Sequence, residues 1–181
     1  MRLSGLDVAR MGSDYSVNTV VDYINDKFRL FDIKDFSKMT TNELEGWSMQ
    51  MQRQYDSNKI VVDSTGIGAG VYDILRENGL PVIECKFGGT PMNKILFQNV
   101  KAEMYWYARS LFEQKLIELI PHPKLSKLVS ELSSMKYEYD SKGKLHIIDP
   151  PKSPDYADSF VMACYGIKLS QRKTSAGVVA W

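Results

Sequence analysis

The chain contains little cysteine and little histidine, and this scarcity excludes several kinds of site. Its 181 residues include two cysteines, Cys85 and Cys164, and two histidines, His122 and His146. Two cysteines cannot form the disulfide network that stabilises many small secreted domains, and no zinc-ligand spacing is present. The apolar neighbours of both cysteines predict buried thiols in a reducing compartment, and we expect both histidines to be structural or exposed.

The sequence also lacks an excess of charge of either sign, a membrane-length apolar run and a secretion signal. The formal net charge is +1 at pH 7, so a bound nucleic acid would have to be held by local basic patches. No apolar stretch approaches the about 20 residues that cross a bilayer. The length suits one domain with a substantial core. We therefore expect a soluble, intracellular domain over residues 1–170 and a flexible C-terminal tail over 171–181.

Apolar periodicity and turn residues predict an α/β domain. Five segments have the pattern of strands: 2–10, 17–24, 27–36, 59–65 and 81–87. The first three are joined by short turns, which predicts an antiparallel meander, and the last two flank a helix in a parallel βαβ unit. Helical spacing marks 42–56, 71–79, 99–120, 124–135 and a last helix that opens at Pro154. With an extra β-hairpin over 136–148, these elements predict a mixed five-stranded sheet flanked by helices.

Four aspartates stand where a carboxylate is costly unless something compensates its charge. Asp7 lies within the first predicted strand, and Asp63 ends the fourth. Asp155 and Asp158 lie on one face of the first turn of the last helix, which then continues as an apolar run. If the first and fourth strands are neighbours, Asp7 and Asp63 reach the same sheet edge, where ligand sites of α/β sheets usually form.

Each of these aspartates also has a purely structural interpretation. Asp7 could cap a turn, although the turn residues begin only at Gly12. Asp63 could cap the helix that follows it, and Asp155 could simply favour the positive amino end of its own helix.

The glycine-rich segment "GIGAG" after Asp63 raises the alternative of a nucleotide-binding module. It follows a strand, opens a helix and is followed by Glu84 at nearly the ribose-binding distance of a dinucleotide fold. However, the third glycine of that fingerprint falls on Val71, and Asp63 would direct negative charge at a pyrophosphate. The phosphate-binding motif GxxxxGK followed by Ser or Thr is also absent.

Three segments in order give the chain a resemblance to a known family. "GLDVARMGSDYSV", "IVVDSTGIGAGVYDIL" and "SPDYADSFVMA" resemble the nuclease domain of phage large terminase subunits, in the ribonuclease H-like superfamily. The similarity extends from Ser4 to about Gly166 and includes "NVKAEMYWYA" on the long helix. The resemblance implies a ribonuclease H-like fold in which the first strand lies between the second and the fourth.

The resemblance also implies a metal site. Asp7, Asp63 and Asp158 would hold divalent ions, with Asp155 as a fourth or water-mediated contact. Asp14 matches an acidic position in the family's first turn, although a turn aspartate is more often a local hydrogen-bond acceptor. Two Mg²⁺ or Mn²⁺ ions suit such hard oxygen ligands and the hydrolysis of a phosphodiester.

The expected activity is that of an endonuclease that cuts double-stranded DNA with little sequence preference during viral genome packaging. The residues alone support only metal-assisted phosphodiester hydrolysis. By resemblance, the partners are the ATPase domain of the same full-length subunit, which is missing from this sequence, a small terminase subunit and the portal, in the host cytoplasm and without a membrane. A catalytically inactive DNA-binding scaffold is a further alternative. Candidate DNA contacts are Lys86, Lys124, Lys127, Lys142, Lys144 and Lys152, although most surface lysines do nothing specific.

Overall fold

The elements alternate between strands and helices in the predicted order. A computed structural model describes residues 1–9, 15–37, 40–66 and 68–175. The strands are β1 (Arg2–Asp7), β2 (Tyr15–Ile24), β3 (Lys27–Ser37), β4 (Lys59–Asp63), β5 (Val82–Cys85), β6 (Ile117–Glu118), β7 (Lys136–Tyr139) and β8 (Leu145–Ile148). The helices are α1 (Thr41–Tyr55), α2 (Gly68–Glu77), α3 (Val100–Glu113), α4 (Leu125–Ser134) and α5 (Asp155–Ser175).

The main sheet has the order β5-β4-β1-β2-β3-β6. β1 runs antiparallel to β2 and parallel to β4, so it lies between the second and fourth strands as the resemblance implies. β2 and β3 complete the antiparallel meander, and β5 pairs in parallel with β4. The predicted mixed sheet and its ribonuclease H-like arrangement are confirmed.

The sheet has six strands rather than the predicted five, because the long helix is shorter than its apolar pattern predicts. α3 ends at Glu113, and Lys115 then adopts a left-handed conformation with a φ of 57°. Leu116 accepts a backbone hydrogen bond from Phe28 at 2.8 Å, and Ile117 pairs with Phe28 as the start of β6. Residues that the sequence pattern predicts to be part of the long helix therefore pair with the edge of β3 instead.

The helices cover both faces of the sheet. On one face α3, α4 and α5 pack in the larger core cluster, and on the other α1 and α2 pack in the second cluster. Helix α1 contributes Leu44, Trp47, Met51 and Tyr55 to that second cluster, at the spacing that predicts the helix. Thr40 and Glu43 form a capping box at its start, which stabilises the first turn by about 1 kcal/mol.

Helix α5 lies unusually close to the sheet. A Cβ on Gly5 of β1 would lie 2.0 Å from the carbonyl oxygen of Ser159, and one on Gly166 would lie 2.4 Å from a methyl group of Val61. Only glycine permits this approach at both positions, so any larger residue would push the helix off the sheet. The helix continues to Ser175, past the expected domain boundary at 170, and the rest of the predicted tail lies outside the described residues.

The late hairpin forms as predicted, as a separate sheet of β7 and β8. Gly143 adopts a φ of 75° in its turn, which suits glycine. Both cysteines are buried and free. Within the described ranges, no helix combines the length and the apolar character that a membrane span requires.

Candidate metal centre

The four predicted carboxylates line one cleft at an edge of the sheet. Asp7 ends β1 and Asp63 ends β4, and because these strands are parallel neighbours their last residues lie at the same edge. The first turn of α5 meets that edge and contributes Asp155 and Asp158. The cleft has a volume of about 430 Å³. Asp14 lies outside the described residues.

The start of α5 is held against the sheet by groups from three other elements. The Ser159 hydroxyl donates to the carbonyl of Gly5 at 2.8 Å and accepts from the backbone N–H of Thr19 at 2.8 Å. Glu131 of α4 accepts the backbone N–H groups of Tyr156 and Ala157 at 2.8 and 3.0 Å. A carboxylate of a different helix thus satisfies the free amides at the amino end of α5.

The carboxylates differ in how their charge is compensated. Asp63 accepts from the Thr65 hydroxyl at 2.7 Å, and Asp155 accepts from the backbone N–H of Tyr15 at 3.0 Å. Asp158 accepts from the Tyr105 hydroxyl at 2.6 Å. Asp7 is 8% exposed, and its side chain has no hydrogen-bond partner in the part of the chain that the structure describes.

Burial raises the pKa of three of the cleft carboxylates, and repulsion adds to the effect at Asp7. Burial raises the pKa of Asp7 well above its usual range, and the charges of Asp158, Asp155 and Asp63 raise it further. Burial also raises the pKa of Asp63, despite its hydrogen bonds from Thr65. The pKa of Asp158 rises to about 6, because burial outweighs the opposing effect of nearby Lys101 and Tyr105. The cleft therefore lacks positive charge for the carboxylates that it gathers.

Three further side chains belong to the site without having been predicted: Lys101 and Asp149 line the cleft, and Tyr105 contacts Asp158. The Lys101 ammonium lies 2.7 Å from a carboxylate oxygen of Asp149 and 3.2 Å from one of Asp158. Lys101 and Tyr105 are four residues apart on α3, so they share one face of the helix. That spacing could have identified the pair, whereas the position of Asp149 depends on how the hairpin packs.

The donor set suits a hard divalent cation. Carboxylate oxygens are the ligands that Mg²⁺ and Mn²⁺ prefer, and a cation would stabilise the nearly buried carboxylate of Asp7, whose charge Lys101 offsets only in part. Within the described residues, no three acidic, histidine or cysteine side chains already form a coordination sphere. Asp158 instead pairs with Lys101, whose ammonium supplies positive charge to the cleft.

The six predicted DNA-contacting lysines lie in different surroundings. Lys124 pairs with Asp35 at 2.6 Å, and Lys86 pairs with Glu84 at 2.9 Å. The Lys127 ammonium lies over the Tyr15 and Tyr156 rings, at 4.0 and 4.1 Å from their centroids. The other three are partly or fully exposed near the hairpin and the entry to α5: Lys142, Lys144 and Lys152. Their contact with DNA stays a prediction.

The glycine-rich turn has a packing explanation. Gly66 adopts a left-handed φ of 61°, and a Cβ on Gly68 would lie 1.7 Å from the carbonyl oxygen of Asp63. Glu84, the candidate ribose ligand, accepts from Ser64 at 3.0 Å and pairs with Lys86. The glycines therefore allow α2 to start directly beside Asp63, without any nucleotide.

Comparisons with known proteins give the chain's family and relate its fold to solved structures. The family described as "Terminase RNaseH-like domain" matches residues 4–165. No curated protein sequence matches the chain. Among solved structures, the nuclease domain of the large terminase subunit gp2 of bacterial virus Sf6 superposes with a TM-score of 0.74 at 19% identity, covering 90% of this chain and 86% of that one.

Two further solved structures hold metal ions. A mutant of the same Sf6 domain with manganese has a TM-score of 0.72 at 18% identity, covering 90% of this chain and 87% of that one. The large terminase nuclease of thermophilic phage G20c with bound magnesium has a TM-score of 0.71 at 16% identity, covering 90% and 79%. At these identities the likeness concerns the fold.

Proposed function

Because the chain belongs to the family of terminase RNaseH-like domains, we propose that it is the metal-dependent endonuclease domain of a viral DNA-packaging terminase. In this proposal it hydrolyses phosphodiester bonds of double-stranded DNA with little sequence preference. The observation that carries the proposal is the meeting of Asp7, Asp63, Asp155 and Asp158 in one cleft with too little positive charge.

The proposed cofactors are two divalent ions, Mg²⁺ or Mn²⁺. Bound ions would supply positive charge for the phosphate, an activated water and stabilisation of the leaving oxygen. Asp7, Asp63 and Asp158 would hold them, and Asp155 would assist. Magnesium and manganese in the G20c and Sf6 domains support this choice of ion.

The chain's own residues prepare the cleft for that task. Tyr105 donates to one oxygen of Asp158, which fixes the orientation of the carboxylate and leaves its other oxygen beside Lys101. Lys101 balances part of the negative charge when the carboxylates are ionised. Gly5, Ser159 and Glu131 fix the height and direction of α5, so they set the separation between its aspartates and those of the sheet.

The proposed partners follow from the family. They are double-stranded DNA, the ATPase domain of a full-length large subunit, the small terminase subunit and the portal, with action in the host cytoplasm during packaging. A nucleotide-binding role has weaker support, because Gly66 and Gly68 already serve the turn beside Asp63.

A plasmid assay tests the proposal. We expect supercoiled plasmid to be nicked and linearised with millimolar Mg²⁺ or Mn²⁺ and to stay intact with a chelator. Asp7→Asn should lower the rate at least about 100-fold. The matched control is Asp73→Asn, which changes an exposed aspartate on α2 that pairs with exposed Arg76. An inactive parent chain in both metals would instead favour a DNA-binding scaffold.

A further inference from the structure

An ordered loop beside the cleft exposes apolar side chains at its tip. The loop comprises residues 88–99, between β5 and α3. Ile95 is 83% exposed and Leu96 is 53% exposed, although burying either side chain would be favourable by about 1.5–3 kcal/mol. Adjacent exposed apolar side chains on an ordered loop indicate a surface that contacts something else.

The tip is rigidly held. The Asn93 side chain accepts the backbone N–H groups of Ile95 and Leu96 at 3.2 and 3.1 Å. Leu96 accepts from the backbone N–H of Leu145 in β8 at 2.8 Å, and Leu145 in turn accepts from Gln98 at 2.9 Å. The exposure of Ile95 is therefore a fixed feature of the fold.

Both ends of the loop lie at the cleft. Phe87, just before it, accepts a backbone hydrogen bond from Lys101, just after it, at 3.0 Å. Both residues line the cleft that holds the four aspartates. A molecule that fills the cleft and extends beyond it on this side would reach the loop.

The rim of the tip is basic. Lys94 of the loop and Lys144 of the hairpin line the same surface depression, and Lys142 is exposed in the neighbouring turn. None of these three forms an ion pair with another residue that the structure describes. Two acidic side chains lie nearby: Asp140 accepts the backbone N–H groups of Lys142 and Lys144, and Glu103, which lines a depression with Lys94 and Ile95, accepts that of Met92.

We infer that the tip of the 88–99 loop contacts duplex DNA next to the cut site, an inference that rests on the proposed nuclease function. Ile95 and Leu96 enter a groove, and Lys94 and Lys144 contact phosphates beside it. A two-residue apolar tip is far smaller than the roughly 800 Å² per partner of a stable protein interface. Apolar wedges flanked by cations are, however, a known way of engaging a DNA groove.

Duplex binding in a chelator tests the inference without cleavage. The parent chain is titrated into a fluorescent duplex at several salt concentrations, and the slope of log affinity against log salt is measured. Lys94→Gln and Lys144→Gln should each reduce the steepness of that slope by about 1, because each removes one phosphate contact. Ile95→Ser should lower affinity about 10-fold at every salt concentration and leave the slope unchanged.

Two control variants match the changes in chemistry. Ile24→Ser alters an isoleucine that is 49% exposed at the opposite end of the sheet. Lys27→Gln alters a lysine that pairs with Glu118 at that same end. Both should bind duplex as the parent does, and melting curves confirm that every variant is folded.

The results separate this inference from the proposed function. Lysine variants with the parental slope, an Ile95→Ser variant that binds like Ile24→Ser, or a parent that binds no duplex would each overturn the loop assignment. Metal-dependent plasmid cleavage would still stand in those cases. Conversely, loop variants that behave as expected in a chain that cuts no plasmid would refute the nuclease alone.

Discussion

Two groups of aspartates in this domain differ in how their charge is balanced. Asp32 and Asp35 lie on β3 and are partly buried, as Asp63 is at the end of β4. Burial alone would raise the pKa of Asp32, but hydrogen bonds from Tyr55, His122 and the backbone of Ile33 outweigh it and lower that pKa. In the cleft, by contrast, the pKa values of Asp7, Asp63 and Asp158 lie above their usual range.

The difference separates carboxylates with several partners in the fold from carboxylates that have too little positive charge near them. Asp32 joins β3 to the end of α1 through Tyr55 at 2.5 Å and to the segment before α4 through His122 at 2.8 Å. Asp35 likewise binds Lys124 and Tyr156, which together lower its pKa against the effect of burial. These hydrogen-bond donors and cations balance the charge of Asp32 and Asp35, whereas the carboxylates of the cleft have too few cations near them.

The largest expected effect is on cleavage. Asp7→Asn, Asp63→Asn and Asp158→Asn should each reduce plasmid cleavage at least about 100-fold, and Asp155→Asn should leave a measurable remainder. Asp35→Asn, on the other hand, should keep near-parental activity at a temperature where the protein is folded. Full activity in Asp7→Asn would contradict the proposed metal centre.

A smaller loss of activity should follow when an aspartate of the cleft loses its positioning partner. Tyr105→Phe removes the hydroxyl that donates to Asp158 at 2.6 Å and keeps the ring in the core. We expect about a 10-fold loss of activity and a higher Mn²⁺ concentration for half-maximal rate. Tyr107→Phe, on the same helix, is the control, and equal Mn²⁺ curves for the two variants would rule out a positioning role.

In the absence of metal, replacing an aspartate by asparagine should change the free energy of unfolding in opposite directions on β3 and in the cleft. Asp32→Asn should destabilise the protein by about 1–3 kcal/mol, because it weakens compensated hydrogen bonds. Asp7→Asn should stabilise it by roughly 1 kcal/mol, because it relieves repulsion in the cleft. Denaturation curves in a chelator measure both changes.

Manganese should reverse which of the two proteins, the parent or the Asp7→Asn variant, has the higher melting temperature. Mn²⁺ that binds only the folded parent raises its melting temperature, and the variant should lose most of that gain. Four melting curves suffice, each protein with chelator and with millimolar Mn²⁺. A shift that is absent from both proteins, or equal in both, would remove Asp7 from the metal site.

The stability difference between the parent and Asp7→Asn should depend on pH. Because the folded-state pKa values of Asp7 and Asp158 are raised, the native parent binds more protons than the unfolded chain above the unfolded value of 3.8. Its metal-free stability therefore rises as pH falls from neutral toward 4. The difference in unfolding free energy between the parent and Asp7→Asn should therefore become smaller as pH falls from 7.5 to 5. An unchanged difference would argue against the raised pKa.

The gap between the parent and Asp32→Asn should behave differently. The folded pKa of Asp32 is lowered, so its contribution is fully present above the unfolded pKa and is lost only as pH falls through the folded value. Between pH 7.5 and 5 this gap should stay constant.

The smallest expected signal is with nucleotides. With metal absent, calorimetry should detect no saturable ATP or NAD binding, because Gly66 and Gly68 serve the turn beside Asp63. Micromolar binding under those conditions would support the nucleotide-binding alternative.

The sequence predicts best those parts of the molecule where a charged residue stands beside apolar residues. Asp7, Asp63 and Asp158 stand out because each adjoins an apolar segment, and Asp155 because it shares a helical face with Asp158. All four line the same cleft. The order of the strands follows from short turns and one βαβ unit. These patterns involve neighbouring residues, so they can be recognised without knowledge of the tertiary structure.

The sequence-based predictions were wrong or incomplete where contacts between distant parts of the chain determine the structure. Nothing local marks the end of α3, since Lys115 turns left-handed and Ile117 then pairs with Phe28 from a distant strand. Lys101 could have been noticed through its spacing to Tyr105, but Asp149 joins it only because the segment after β8 returns to the cleft.

The amide groups at the start of α5 are satisfied by Glu131 from α4. A helix that carries its own capping side chain can begin to form as soon as its segment is synthesised, whereas two amides of this one are capped by a side chain of another helix. We expect the first turn of α5 to be among the last parts of the domain to become ordered during folding. Asp155 and Asp158 would then reach Asp7 and Asp63 only in a nearly finished domain, so the four carboxylates would not yet be assembled in partly folded chains.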